Sequence, residues 1–139
     1  MLEFKQLSHL DAVLTDPASR SLRANELTGR WINTNRETRG IAKCRIERQG
    51  ERFMINLVGV GANDPIEWPQ VEGKLLANLD EEGGQRAVAV AATVEFSFMK
   101  AATYVRLNRG VLVIVFYITF LDDSGRSNYV TREFFRRSN

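Results

Sequence analysis

The stretch that decides the fold is Val94-Glu95-Phe96-Ser97-Phe98-Met99-Lys100-Ala101-Ala102-Thr103-Tyr104-Val105-Arg106-Leu107-Asn108-Arg109-Gly110-Val111-Leu112-Val113-Ile114-Val115-Phe116-Tyr117-Ile118-Thr119-Phe120. Apolar residues recur at every second position, β-branched and aromatic types dominate, and Arg109-Gly110 is a hairpin turn by composition. A turn at Met99-Lys100 aligns Val94, Phe96 and Phe98 with Thr103, Val105 and Leu107. The turn at Arg109-Gly110 aligns these in turn with Leu112, Ile114, Phe116 and Ile118. Three successive strands therefore share one apolar face.

The same test extends in both directions. Around Gln49-Gly50, pairing Arg48 with Glu51 sets Ile46 beside Phe53, Cys44 beside Ile55 and Ala42 beside Leu57, with Lys43, Arg45 and Glu47 opposite. A link at Arg36-Glu37 places Trp31 on that apolar side. A three-residue Asp123-Ser124-Gly125 loop continues the inner face into Asn128, Val130, Arg132, Phe134 and Arg136. Eight strands are predicted, at 28–34, 39–48, 51–60, 71–79, 85–98, 101–108, 111–121 and 126–136; the connection 61–70, with its two prolines, is read as a loop. So many strands joined by short links suit an all-β, eight-stranded antiparallel up-and-down barrel, with a sandwich as the alternative.

Residues 1–26 differ from the rest. Phe4, Leu7, Leu10 and Leu14 fall on one stripe of a short helix, so the chain reads as an amino-terminal helical arm (1–26) and a single barrel domain (27–139). A length of 139 residues suits one core, and 44% hydrophobic with 26% charged residues is ordinary globular usage. The net charge of +2 is too small to point to nucleic acid. One histidine, His9, and one cysteine, Cys44, leave no metal site, Cys/His nucleophile pair or internal disulfide in prospect, and no cofactor is expected. No stretch reaches the ~18 apolar residues of a membrane span, and no leader pattern is read near Glu3 and Lys5, so a cytoplasmic protein without membrane contact is expected.

Leu27-Thr28-Gly29-Arg30-Trp31 resembles the Gly-x-Trp opening of the first strand in lipocalins and, more broadly, the calycin superfamily; avidins begin similarly. The resemblance implies a barrel closed at one end, where the tryptophan lies beneath an arginine of the last strand. By the pairings above, that arginine is Arg136 or Arg132.

In such a barrel the loops at 35–38, 61–70, 99–100 and 122–125 surround one mouth. The expected ligand-binding residues are Asn33, Arg39, Trp68 and Asn128 at the polar rim, over Phe96, Phe98, Thr103, Phe116, Ile118 and Phe120, with Arg132 buried inside the barrel. An apolar cup with a few directional polar groups suits a small hydrophobic molecule with one polar end. Each residue also has a plainer reading: Arg39 ion-paired with Asp122 or Asp123, Trp68 plugging a loop, Asn33 bonded to Asn128, and phenylalanines filling the interior. Glu95, Tyr104 and Arg106 would make an acid/base cluster, yet register puts them outside. An outer strip of Ala87, Ala89, Ala91, Ala102, Tyr104, Val113, Val115 and Tyr117 predicts a cover, either the arm or the second subunit of a homodimer.

Three functions remain open on this basis: a carrier, a cofactor-free cyclase or isomerase with the arm as lid, and an interaction module with a filled barrel. Charge is uneven along the chain, with nine basic and four acidic residues over 20–52, one and six over 60–85, and seven and three over 100–139. First and last strands adjoin in a barrel, so one positive side is expected, favouring a ligand with an anionic or carbonyl end.

Overall fold

A computed structural model describes residues 25–77 and 87–138. A 3-10 turn, Asn25–Leu27, leads into β1 (Gly29–Asn33), β2 (Ile41–Gln49), β3 (Arg52–Gly59), β4 (Ile66–Glu67), β5 (Val71–Ala77), β6 (Ala87–Glu95), β7 (Met99–Asn108), β8 (Val111–Phe120) and β9 (Tyr129–Arg137). Every pairing is antiparallel. The ring runs β1-β9-β8-β7-β6-β5-β3-β2 and closes where β2 pairs both β1 and β3, giving an eight-stranded closed barrel. The expected helix over the first residues lies outside the described part of the chain.

The short β4 corrects the reading of 61–70 as loop throughout. Ile66 and Glu67, neither of them proline, pair with Gly59 and Val58, and the Trp68 N–H donates to the Leu57 carbonyl at 2.9 Å. Below that point β3 pairs with β5 instead, through Phe53–Gly73 and Ile55–Val71.

Register explains which faces were foreseen. At β7/β8 the pairing is as read, Asn108 opposite Val111, because Arg109 (φ 51) and Gly110 (φ 83) both take the left-handed conformation of a type I′ turn. In β2/β3 the turn is Gly50-Glu51 rather than Gln49-Gly50, so Ile46 faces Ile55 and Cys44 faces Leu57. At β6/β7 Val94 faces Ala101 rather than Val105. Both slips are even, and side chains alternate with period two, so the apolar residues still point inward. A bulge between Ile41 and Lys43 buries Ile41 in the place expected of Ala42, which is half-buried.

At β8/β9 the slip is odd. Ile118 pairs with Tyr129, Phe116 with Thr131, Ile114 with Glu133 and Leu112 with Phe135. The expected inner set of Asn128, Val130, Arg132, Phe134 and Arg136 is therefore wrong, and Thr131, Glu133 and Phe135 face the interior. Exposure agrees: Phe135 is 0% exposed, Phe134 42% and Val130 61%. The cause lies in the loop. Gly125 takes the left-handed position (φ 74), but 121–128 is longer than a three-residue turn, with Arg126 folded back onto Asp122, Ser124 and the Phe120 ring.

The core is one cluster that includes Leu27, Trp31, Phe53, Leu112, Phe116 and Phe135. At the end bearing the Gly110 turn, the Trp31 indole N–H donates to the Leu27 carbonyl at 3.0 Å. The guanidinium stacked on Trp31, 4.3 Å from the ring, is that of Arg137 and not of Arg136 or Arg132. Arg137 also donates to the carbonyls of Thr28 (2.8 Å) and Glu26 (2.6 Å), tying last strand to first. Gly29, at φ 131, leaves room for it, since a Cβ there would lie 2.7 Å from Arg137 Nη1.

Candidate functional site

The opposite end is open. Loops 34–40, 60–65, 96–98 and 121–128 rise around a cavity of about 920 Å³. Its apolar wall is Trp68, Phe116 and Ile118, with Val60, Ile66, Phe98 and Tyr129 at the exposed rim. Trp68 packs edge-on against Phe96 (5.1 Å between centroids) and Phe116 (6.5 Å). Its indole N–H makes no hydrogen bond among the described residues.

The polar wall centres on a residue the sequence reading missed. Glu133 projects inward from β9, and its Oε1 accepts hydrogen bonds from Asn33 Nδ2 (2.9 Å) and Thr38 Oγ1 (3.0 Å). Asn33, buried, also donates to the Ile41 carbonyl and accepts from the Asn35 N–H, both at 2.8 Å. Thr38 Oγ1 accepts from the Gly40 N–H at 3.1 Å. The carboxylate is thus held by two neutral donors on locked side chains. The phase that turn chemistry predicts for this strand is one residue out of step with the observed pairing and sets Glu133 outside.

Of the expected ligand-binding residues, Asn33, Arg39, Trp68, Phe98, Phe116 and Ile118 line the cavity. Arg39 is exposed and has no ion pair among the described residues; Asp122 pairs instead with Arg126 at 3.0 Å. The Asp122 carboxyl is held below its usual range by the Ser124 hydroxyl and, after it, by Arg126. Phe96 stands behind Trp68, and Phe120 lies under the Arg126 guanidinium at 4.3 Å. Thr103 is a core residue whose hydroxyl donates to the Ala92 carbonyl at 2.8 Å. Asn128 accepts from the Phe120 N–H and does not meet Asn33. Arg132, expected inside, is exposed with its guanidinium over the Phe134 ring (5.6 Å), and both residues line the cavity mouth. Glu95 and Arg106 are exposed, and Glu95 faces Lys100 rather than Tyr104.

On the outer strip Ala89 and Val113 are buried, while Tyr117 is exposed and is joined by Val130 and Phe134. Among the described residues no group of three or more His, Cys, Asp or Glu is placed to hold a metal, and no helix is long and apolar enough to cross a membrane.

Cys44 is buried against this core, and burial pushes its thiol up from 9.0 to about 12. The folded chain keeps the proton that the unfolded chain releases above pH ~9, so this contribution to stability is complete below that pH and is lost as the pH climbs toward 12. Urea denaturation at pH 8 and about 10.5 should show wild type losing ~2 kcal/mol more than Cys44→Ala over that interval. Parallel losses in the two proteins would contradict it.

No protein-family model, curated protein or solved structure matches this chain.

Proposed function

We propose that this chain is a calycin-type, cytoplasmic carrier that holds a small apolar molecule with one polar end in the mouth of its barrel. The observation that carries the reading is the cavity of about 920 Å³, lined by Trp68, Phe116 and Ile118 on one side and by Asn33, Thr38 and Glu133 on the other. That volume and mixture suit a drug-sized ligand. The calycin part rests on Gly29, Trp31 and the last-strand Arg137 stacked on that tryptophan.

The test is a titration with N-phenyl-1-naphthylamine, a neutral apolar fluorophore. Saturable binding at one site per chain, weakened about tenfold or more by Trp68→Ala, supports the carrier; no binding, or binding indifferent to Trp68, removes it. A cofactor-free cyclase or isomerase is a second reading, favoured by the Glu133 carboxylate, which supplies a general base inside the cavity; chemical change of a bound ligand is what distinguishes it. The homodimer remains part of the proposal on account of exposed Tyr117, Val130 and Phe134, and light scattering decides it.

A further inference from the structure

The hydrogen-bonding capacity of the polar wall can be counted atom by atom. Both protons of the Asn33 amide are used, on the Ile41 carbonyl and on Glu133 Oε1, and its oxygen is occupied by the Asn35 N–H. The single hydroxyl proton of Thr38 goes to Glu133 Oε1, and its oxygen already accepts from the Gly40 N–H. Among the described residues, nothing donates to Glu133 Oε2. Every donor in the cluster is therefore spent, and what it still offers to the cavity is one carboxylate oxygen.

Access to that oxygen depends on Gly40. A Cβ there would lie 3.2 Å from Oε2 and 3.3 Å from Oε1. Gly40 and Glu133 both line the cavity, so the absence of a side chain leaves the approach open. No arginine or lysine forms an ion pair with Glu133 among the described residues; the arginines that line the cavity, Arg39, Arg126 and Arg132, are exposed, and Arg126 is held on Asp122 and Ser124.

We infer that Glu133 Oε2 is the receptor for the polar end of the ligand, and that this end is a hydrogen-bond donor, a protonated amine in preference to a hydroxyl. The inference rests on the carrier reading and adds the chemistry of the head group. It reverses the sign suggested by the uneven charge along the chain: within the cluster of Asn33, Thr38 and Glu133 no donor is left for a ligand carboxylate, which would meet the Glu133 carboxylate instead.

The test uses the full chain and three probes sharing one tail, decylamine, 1-decanol and decanoate, below their micelle concentrations at pH 7, followed by isothermal titration. The expected order is decylamine tightest, decanol next and decanoate weakest, with amine and carboxylate separated by about tenfold to a hundredfold. Glu133→Gln should bring decylamine down to the affinity of decanol, and Gly40→Ala, which keeps the carboxylate but crowds it, should weaken the amine more than the alcohol. Decanoate binding as tightly as decylamine, or an amine preference that survives both substitutions, overturns the inference while leaving the carrier reading in place. Failure of all three probes to bind removes the carrier reading itself. Should Glu133→Gln fail to fold, the wild-type order and Gly40→Ala decide the matter.

Discussion

Trp31→Ala should cost ~3–5 kcal/mol and leave the protein unfolded or close to it at room temperature, since removing a buried tryptophan forfeits its transfer free energy and opens a cavity. Trp31 is 1% exposed, and its ring is the surface on which Arg137 stacks at 4.3 Å. Its indole N–H also satisfies the Leu27 carbonyl. Losing it therefore loosens three things together: the core, the 3-10 turn that closes this end and the seam between β1 and β9. Trp31→Phe keeps a ring under the guanidinium and gives up the hydrogen bond and some volume, so a smaller loss of ~1–2 kcal/mol is expected. Urea denaturation followed by far-ultraviolet circular dichroism measures both. A Trp31→Ala protein within ~1 kcal/mol of wild type would mean that this end of the barrel is held by something else.

Two adjacent phenylalanines should behave in opposite ways. Phe135→Ala is expected to cost ~3–5 kcal/mol, because Phe135 is fully buried opposite Leu112. Phe134→Ala should cost less than ~1 kcal/mol, because Phe134 is 42% exposed on the outer face beneath Arg132. The pair reports the register of β9 directly. If Phe134→Ala were the damaging change, β9 would be turned over, Glu133 would leave the cavity and the polar wall would vanish with it.

That register also marks the limit of what the sequence discloses. Alternation and turn chemistry are sufficient for the barrel and for most of its inner face, because an error of two or four residues in a hairpin leaves every side chain on the same side. Ile46, Phe53, Ile55, Val94, Val105 and Leu112 are inside for that reason, even though some of their partners were misassigned. In β9 both phases carry a phenylalanine, Phe134 in one and Phe135 in the other, so hydrophobicity does not choose between them. Arginine chooses. The phase first read puts Arg132 and Arg136 inside with no partners, an expensive arrangement, whereas the observed phase turns both outward and leaves Arg137 at the closed end on Trp31 and two carbonyls. The length of the 121–128 loop was hidden for a different reason: its conformation depends on Arg126 bonding Asp122 and Ser124, side-chain contacts that no turn signature encodes.

The mouth was legible in outline. Phe96, Phe98, Phe116 and Phe120, from two strand ends, could be assigned to it from alternation, and Asn33 and Trp68 line it. Its chemistry was not legible. The link from Asn33 and Thr38 to Glu133 joins residues about a hundred positions apart, and it exists only because closure of the barrel sets β1 beside β9.

The most direct test of the account is a map of where an apolar amine binds. In nitrogen-15-labelled protein titrated with decylamine, the account predicts that the largest amide shifts fall on Gly40, Gly59 and Glu133 and that the Trp68 indole resonance moves, while Val105, Leu112 and Phe135 at the packed end stay still. Shifts concentrated on the outer residues Tyr117 and Val130, with the mouth unmoved, would contradict it.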